Sequence, residues 1–283
     1  MSTPAKLALF VGVLAAVFGG AALAGAAIGP DRDADDLASA PHGEMAAEPH
    51  GGAADPVRGL AIADDGLRIV VEDPELARGR EQALRFRIVD ERGATVRDFD
   101  VEHERRMHLI LARRDLTGFQ HLHPEQAADG SWSTPVRLAA AGSYRLFADF
   151  AHDGEAQTLA SDLRVDGAAD LEALPAPAAT AVSDGGYDVR LDARDAGPGE
   201  EADLRFTIMR DGRPVRTEPY LGAGGHLVAL REGDLAFLHV HPLAEDSVRF
   251  AATFPTAGRY RLFLQFRHAG RIQTAAFTYE VGR

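Results

Sequence analysis

No cysteine occurs among the 283 residues. That excludes disulfide scaffolds, thiolate metal sites, a cysteine nucleophile and a lipid-modified N-terminal cysteine. Lysine is nearly absent as well, Lys6 being the only one among 30 basic residues. In a chain so rich in Ala and Gly this reads as a coding bias, so arginine runs are not taken as phosphate binders. Four methionines, one of them the initiator, exclude a thioether-rich Cu(I) site. Positive charge is in deficit, with 43 acidic residues against 30 basic and a net charge of −13. The acidic balance excludes nucleic acid as a partner, because that ligand needs a basic face.

One long apolar run is present. Leu7–Gly29 carries no charge, follows Lys6 and precedes the acidic DRDADD. As a helix it would extend roughly 34 Å, enough for a hydrocarbon core of about 30 Å. The flanking charges orient the rest of the chain outward. Residues 1–30 are therefore expected to be a single-pass cell-membrane anchor. A secreted protein, released by signal-peptide cleavage after Ala22-Leu23-Ala24 or Ala24-Gly25-Ala26, is the alternative. Residues 31–56 are acidic, poor in large apolar groups, and read as a disordered linker. The linker contains His42, Met45 and His50, either chance residues of a tether or a weak metal-gathering arm.

The rest of the chain is duplicated. LRFRIVDERGATVRDFDVEHERRMHLILARRDLTGFQHLHP matches LRFTIMRDGRPVRTEPYLGAGGHLVALREGDLAFLHVHP, pairing Leu84 with Leu204, His108 with His226 and Tyr144 with Tyr260. Two domains follow, 57–167 and 183–283, joined by a Pro/Ala-rich linker at 168–182. Leu84, Phe86 and Ile88 alternate with Arg85 and Arg87, the period of a half-buried strand, and Leu204, Phe206 and Ile208 repeat the pattern. Strands are expected at 67–73, 107–113, 119–123, 143–150 and 157–165, with counterparts at 187–193, 226–231, 235–241, 259–266 and 271–281. No helical period is sustained after residue 60. The fold class is all-β, two tandem immunoglobulin-like or cupredoxin-like sandwiches.

Eight histidines form two matching sets: His108, His121, His123 and His152, then His226, His239, His241 and His268. His121 and His123 are two apart on a strand and leave the same face. A turn centred between Asp115 and Leu116 sets His108 opposite His123, and the turn at Arg231–Asp234 sets His226 opposite His241. In an immunoglobulin-like sheet the strand ending at His152 or His268 would bring that ring toward His108 or His226. Half-buried or pH-responsive histidines are the bland reading. Four positions repeated twice favour metal ligands, one site per domain, with Cu(II) ahead of Zn(II) for nitrogen donors without thiolate. Met107 is expected to face the core, and His103 to point away from the site.

HLILARRDLTGFQHLHP and HLVALREGDLAFLHVHP, together with AGSYRLFADF and AGRYRLFLQF, resemble bacterial extracytoplasmic heavy-metal-associated proteins with YtkA-like, immunoglobulin-like domains. The resemblance covers about 57–283 and implies an envelope role. The resulting expectation is a non-enzymatic protein that buffers metal ions or passes them to an envelope metal-transport protein. A metal-dependent envelope enzyme, with an open position on a three-histidine ion, is the first alternative. An adhesion or spacer module without metal is the second. No Ser/His/Asp or paired-carboxylate motif repeats with the histidines.

Overall fold

The computed structural model describes residues 57–282 apart from 195, 239, 245 and 246. The apolar run and the linker with His42, Met45 and His50 lie outside the described residues. Among those described there is no helix long and apolar enough to cross a membrane. Every named element is a β-strand.

In the first repeat one sheet comprises β1 (Ala63–Asp64), β2 (Leu67–Val71), β4 (Gln82–Val89), β8 (Trp132–Val136) and β7 (Glu125–Gln126), in that order. The facing sheet runs β3 (Glu75–Leu76), β10 (Glu155–Val165), β9 (Gly142–His152), β5 (His108–Arg113) and β6 (Gln120–Leu122). β3 pairs parallel with β10, and the other pairings are antiparallel. This is the immunoglobulin arrangement of two sheets, with an early strand crossing to the last. Alternation in β4 works as expected: Leu84, Phe86 and Ile88 are buried in the inter-sheet core and Arg85 is exposed.

The second repeat has the sheet β11 (Thr180–Val182), β12 (Asp188–Ala193), β13 (Glu201–Arg210), β18 (Arg249–Thr253) and β17 (Val240–Pro242), with β14 (Arg213–Pro214) beside β13. Its partner runs β16 (Phe237–Leu238), β15 (His226–Arg231), β19 (Gly258–His268) and β20 (Arg271–Val281). Both repeats carry a tyrosine corner without any disulfide. The Tyr144 hydroxyl donates to the Ala140 carbonyl at 3.0 Å, and the Tyr260 hydroxyl donates to Thr256 at 2.8 Å.

The described residues form one compact unit, because the two sandwiches share a third core. β5 is buried on both faces: Leu109 and Leu111 enter the core of their own sandwich, whereas Ile110 and Ala112 point outward. The outward residues meet Val228 and Leu230 of β15, Phe147 and Phe263. Phe119 and Phe263 stack across this interface at 4.0 Å with planes 6° apart. Phe237 donates its N–H to the Arg58 carbonyl at 3.0 Å, tying the segment before β1 to the second repeat. The face of β5 that would meet solvent in a lone sandwich is therefore covered by its counterpart.

The motif's Asp and Leu belong to this architecture. Asp115 accepts from Arg113 at 2.9 and 2.6 Å, and both side chains are only 4% exposed. Burial opposes ionisation of Asp115, but hydrogen bonds from Arg113, Glu172 and Thr117 hold its carboxyl at about 2. Leu116 and Leu235, with φ of 64° and 61°, turn their side chains into the shared core.

Candidate metal centre

The hairpin β5–β6 pairs Leu109 with Leu122 and Ile110 with His121. This is the expected register, and it carries His108 toward His123. Directly paired residues project to the same side of a sheet. His121 therefore shares the outward side of Ile110, and His108 and His123 share it by alternation. The three rings meet at centroid separations of 5.2 Å (His108–His121), 5.1 Å (His108–His123) and 4.9 Å (His121–His123). One nitrogen from each lies within 4.8 Å of the others, so the triad could hold one metal ion.

Hydrogen bonds orient two of the rings. His108 Nε2 lies 3.2 Å from the Glu102 carbonyl, which can only accept. That nitrogen therefore carries the proton, and Nδ1 presents a lone pair. His121 Nδ1 lies 2.7 Å from the Gln265 amide oxygen, so its proton sits on Nδ1 and its Nε2 is bare. The two bare nitrogens face each other at 3.0 Å. His123 Nε2 is buried without a hydrogen-bond partner.

Burial, and then the neighbouring His108 and His123, push His121 down to about 3. Burial followed by His108 and Arg105 pushes His123 to about 4. His108 is also lowered, mainly by burial. The rings are thus neutral near pH 7, the form that ligates metals. Asp149 pairs with His108 across β9 and accepts from the Thr158 hydroxyl at 2.6 Å. Burial pushes its carboxyl up.

The second repeat does not build a matching triad among the described residues. Its hairpin keeps the expected register through Leu238, which pairs with Ala229. The strand then changes sheets, and Val240–Pro242 pairs with β18. Leu238 is drawn into the core of the second sandwich where the first repeat has Gln120, whose amide instead donates to the Arg137 carbonyl at 2.9 Å. His241, exposed on the opposite sheet, therefore does not stand across from His226. His239 lies outside the described residues.

The strand-end histidines also require correction. β9 pairs His108 with Asp149, and His152 lies three residues further along, where its Nδ1 is 2.9 Å from the Asp98 carbonyl. His268 Nδ1 bonds the Tyr187 hydroxyl at 2.8 Å. Neither joins the triad.

His226 does approach it, from the other sandwich. Its ring lies 4.7 Å from His121 and 5.7 Å from His108. His103, expected to point away because an odd spacing of five separates it from His108, comes within 6.1 Å of His108 and 5.9 Å of His226. A turn closed by hydrogen bonds between Glu102 and Arg105, with φ of 45° at His103, breaks that parity. The residues opposite His108 and His226 in their ladders, Asp149 and Gln265, were readable as aligned positions but carried no motif.

Residues 61–167 and 180–283 each match the family model described as Domain of unknown function (DUF8832). The chain belongs to this family. Its two DUF8832 repeats are the tandem immunoglobulin-like domains just described. No curated protein matches the sequence. Among solved structures, the chain is similar to the Escherichia coli adhesin FdeC at 15% identity and a TM-score of 0.28, covering 79% of this chain and 66% of that one. Salmonella alpha-2-macroglobulin is similar at 13% identity and a TM-score of 0.28, with 81% of this chain and 15% of that one covered. Invasin, a bacterial integrin-binding protein, is similar at 12% identity and a TM-score of 0.25, with coverages of 78% and 41%.

Proposed function

We propose that the protein binds a transition-metal ion through His108, His121 and His123, and that it buffers or hands on that ion outside the cytoplasm. The observation that carries this reading is the 3.0 Å approach of His108 Nδ1 and His121 Nε2, each left without a proton by its partner on the far side of the ring. Two such lone pairs repel unless a cation lies between them. Nitrogens bound to one ion at about 2.0–2.1 Å, with angles of 90–109°, stand about 2.9–3.4 Å apart. The observed separation falls in that range. The Asp149 carboxyl stands opposite His108; burial alone favours its neutral form, and a bound cation would draw it into the ionised one.

The donor set is imidazole without thiolate, which suits Cu(II) first and Zn(II) second. The likeness of the histidine motif to YtkA-like proteins supports an envelope role. An envelope metal-transport protein is the partner we propose for the ion. The apolar run Leu7–Gly29, with Lys6 before it and acidic residues after it, supports a membrane anchor with the repeats outside. The reading assigns no reaction to the ion.

Elemental mass spectrometry on protein purified without added metal, followed by calorimetric titration with Cu(II) and Zn(II), tests the reading. Wild type should bind, and His121→Ala with His123→Ala should lose binding while keeping the metal-free fold. Unchanged binding in the double variant would remove these residues as ligands. A C-terminal reporter that works only outside the cytoplasm should be active.

A further inference from the structure

We infer that His226 of the second repeat supplies a fourth nitrogen to the triad of the first, so that the chain holds one metal ion between its two sandwiches. The inference rests on the metal reading of His108, His121 and His123, and it assigns the ion's fourth ligand and its stoichiometry.

His226 opens β15 in phase with Val228 and Leu230, which sink into the core shared by the repeats. Its ring is thereby turned away from its own sandwich and toward β5 and β6. It lies 4.7 Å from the His121 ring and 5.7 Å from that of His108, with His108 and His226 planes only 7° apart. Its Nδ1 is buried and has no hydrogen-bond partner. An imidazole nitrogen shut away from water without a partner is costly, and a bound cation would satisfy it.

The chain before His226 is shaped for this approach. A Cβ on Gly224 would stand 2.8 Å from the Ser247 carbonyl oxygen, and one on Gly225 would stand 2.8 Å from the Gln265 carbonyl oxygen. The second repeat contributes to His121 as well, since Gln265, paired with His226 in the β15–β19 ladder, accepts the hydrogen bond from His121 Nδ1–H. The centre therefore takes three imidazoles from one repeat and one from the other, plus an orienting amide. Four nitrogens leave a four-coordinate ion no open position, which suits holding and exchange more than activation of a bound water. An ion so held also pins the two sheets to each other beside their apolar contact.

Titration of the full chain with Zn(II) and with Cu(II), paired with X-ray absorption to count imidazoles, tests the inference. Wild type should bind one ion per chain with four imidazoles. His226→Gln should keep one ion, show three imidazoles and bind at least about a hundredfold more weakly, more than the loss of an outer hydrogen-bond partner causes. Three imidazoles in wild type, or unchanged affinity in His226→Gln, would overturn the fourth ligand while leaving the triad reading intact. Two ions of equal affinity per wild-type chain would overturn the shared site. If His121→Ala with His123→Ala binds like wild type, the triad reading fails as well. Metal-free circular dichroism checks the fold of His226→Gln, and should that variant not fold, the wild-type stoichiometry and imidazole count decide.

Discussion

Acidification should destabilise the metal-free protein at pH values where ordinary surface histidines would matter little. His121 is held at about 3 by burial and by its neighbours His108 and His123. In the unfolded chain the same imidazole titrates near 6.5. Between those two values the unfolded state binds a proton that the folded state refuses, so stability falls as pH falls through 6.5 and levels off only near 3. At full slope one such group removes about 1.4 kcal/mol per pH unit, and between pH 7 and pH 5 His121 alone removes about 2 kcal/mol. His123, pushed to about 4 but partly exposed, adds a smaller share because solvent screens it. His108 and His226 are shifted in the same direction, mainly by burial, and the rings titrate as a coupled set rather than additively. For a unit of this size, the His121 share corresponds to a drop of about 4–8 °C in Tm. Thermal unfolding followed by circular dichroism in a chelator at pH 7, 6 and 5 measures it. His121→Gln should reduce the stability lost between pH 7 and pH 5 by about 2 kcal/mol. A Tm that stays flat from pH 7 to 5, or a variant with the wild-type slope, would refute the description of His121 as a neutral, enclosed imidazole.

Other outcomes follow from single contacts. Gln265→Leu removes the acceptor that orients His121 from the second repeat and should weaken Zn(II) or Cu(II) binding about 10–100-fold by calorimetry, with stoichiometry unchanged. Tyr260→Phe leaves the Thr256 carbonyl without its 2.8 Å partner and should cost about 1–3 kcal/mol in urea unfolding, with no change in metal affinity for folded protein. Phe263→Ala opens the shared core where the ring stacks on Phe119; it should cost about 3–5 kcal/mol, and it should also weaken metal binding if the two sheets cooperate in the site.

Much of this molecule was legible in residue order because the relevant rules are local. Alternation at Leu84, Phe86 and Ile88 identifies a strand with one buried face, the paired histidine motifs reveal the duplication, and the turn at Asp115 sets the register that carries His108 toward His123. A period of two states which side chains share a side, and it says nothing about what lies against that side. Only the tertiary structure decided that the outer faces of β5 and β15 cover each other, which turns two expected clusters into a gathering of His108, His121, His123 and His226 between the repeats. It also decided what equal spacing could not foresee: β16 ends at Leu238, so His241 leaves for the opposite sheet, and a left-handed residue at His103 returns its ring to the cluster. The physical reason is that strand pairing and turns are set by neighbours in the chain, whereas a buried interface between sheets is set by apolar surface more than 100 residues apart, as Ile110 and Val228 show.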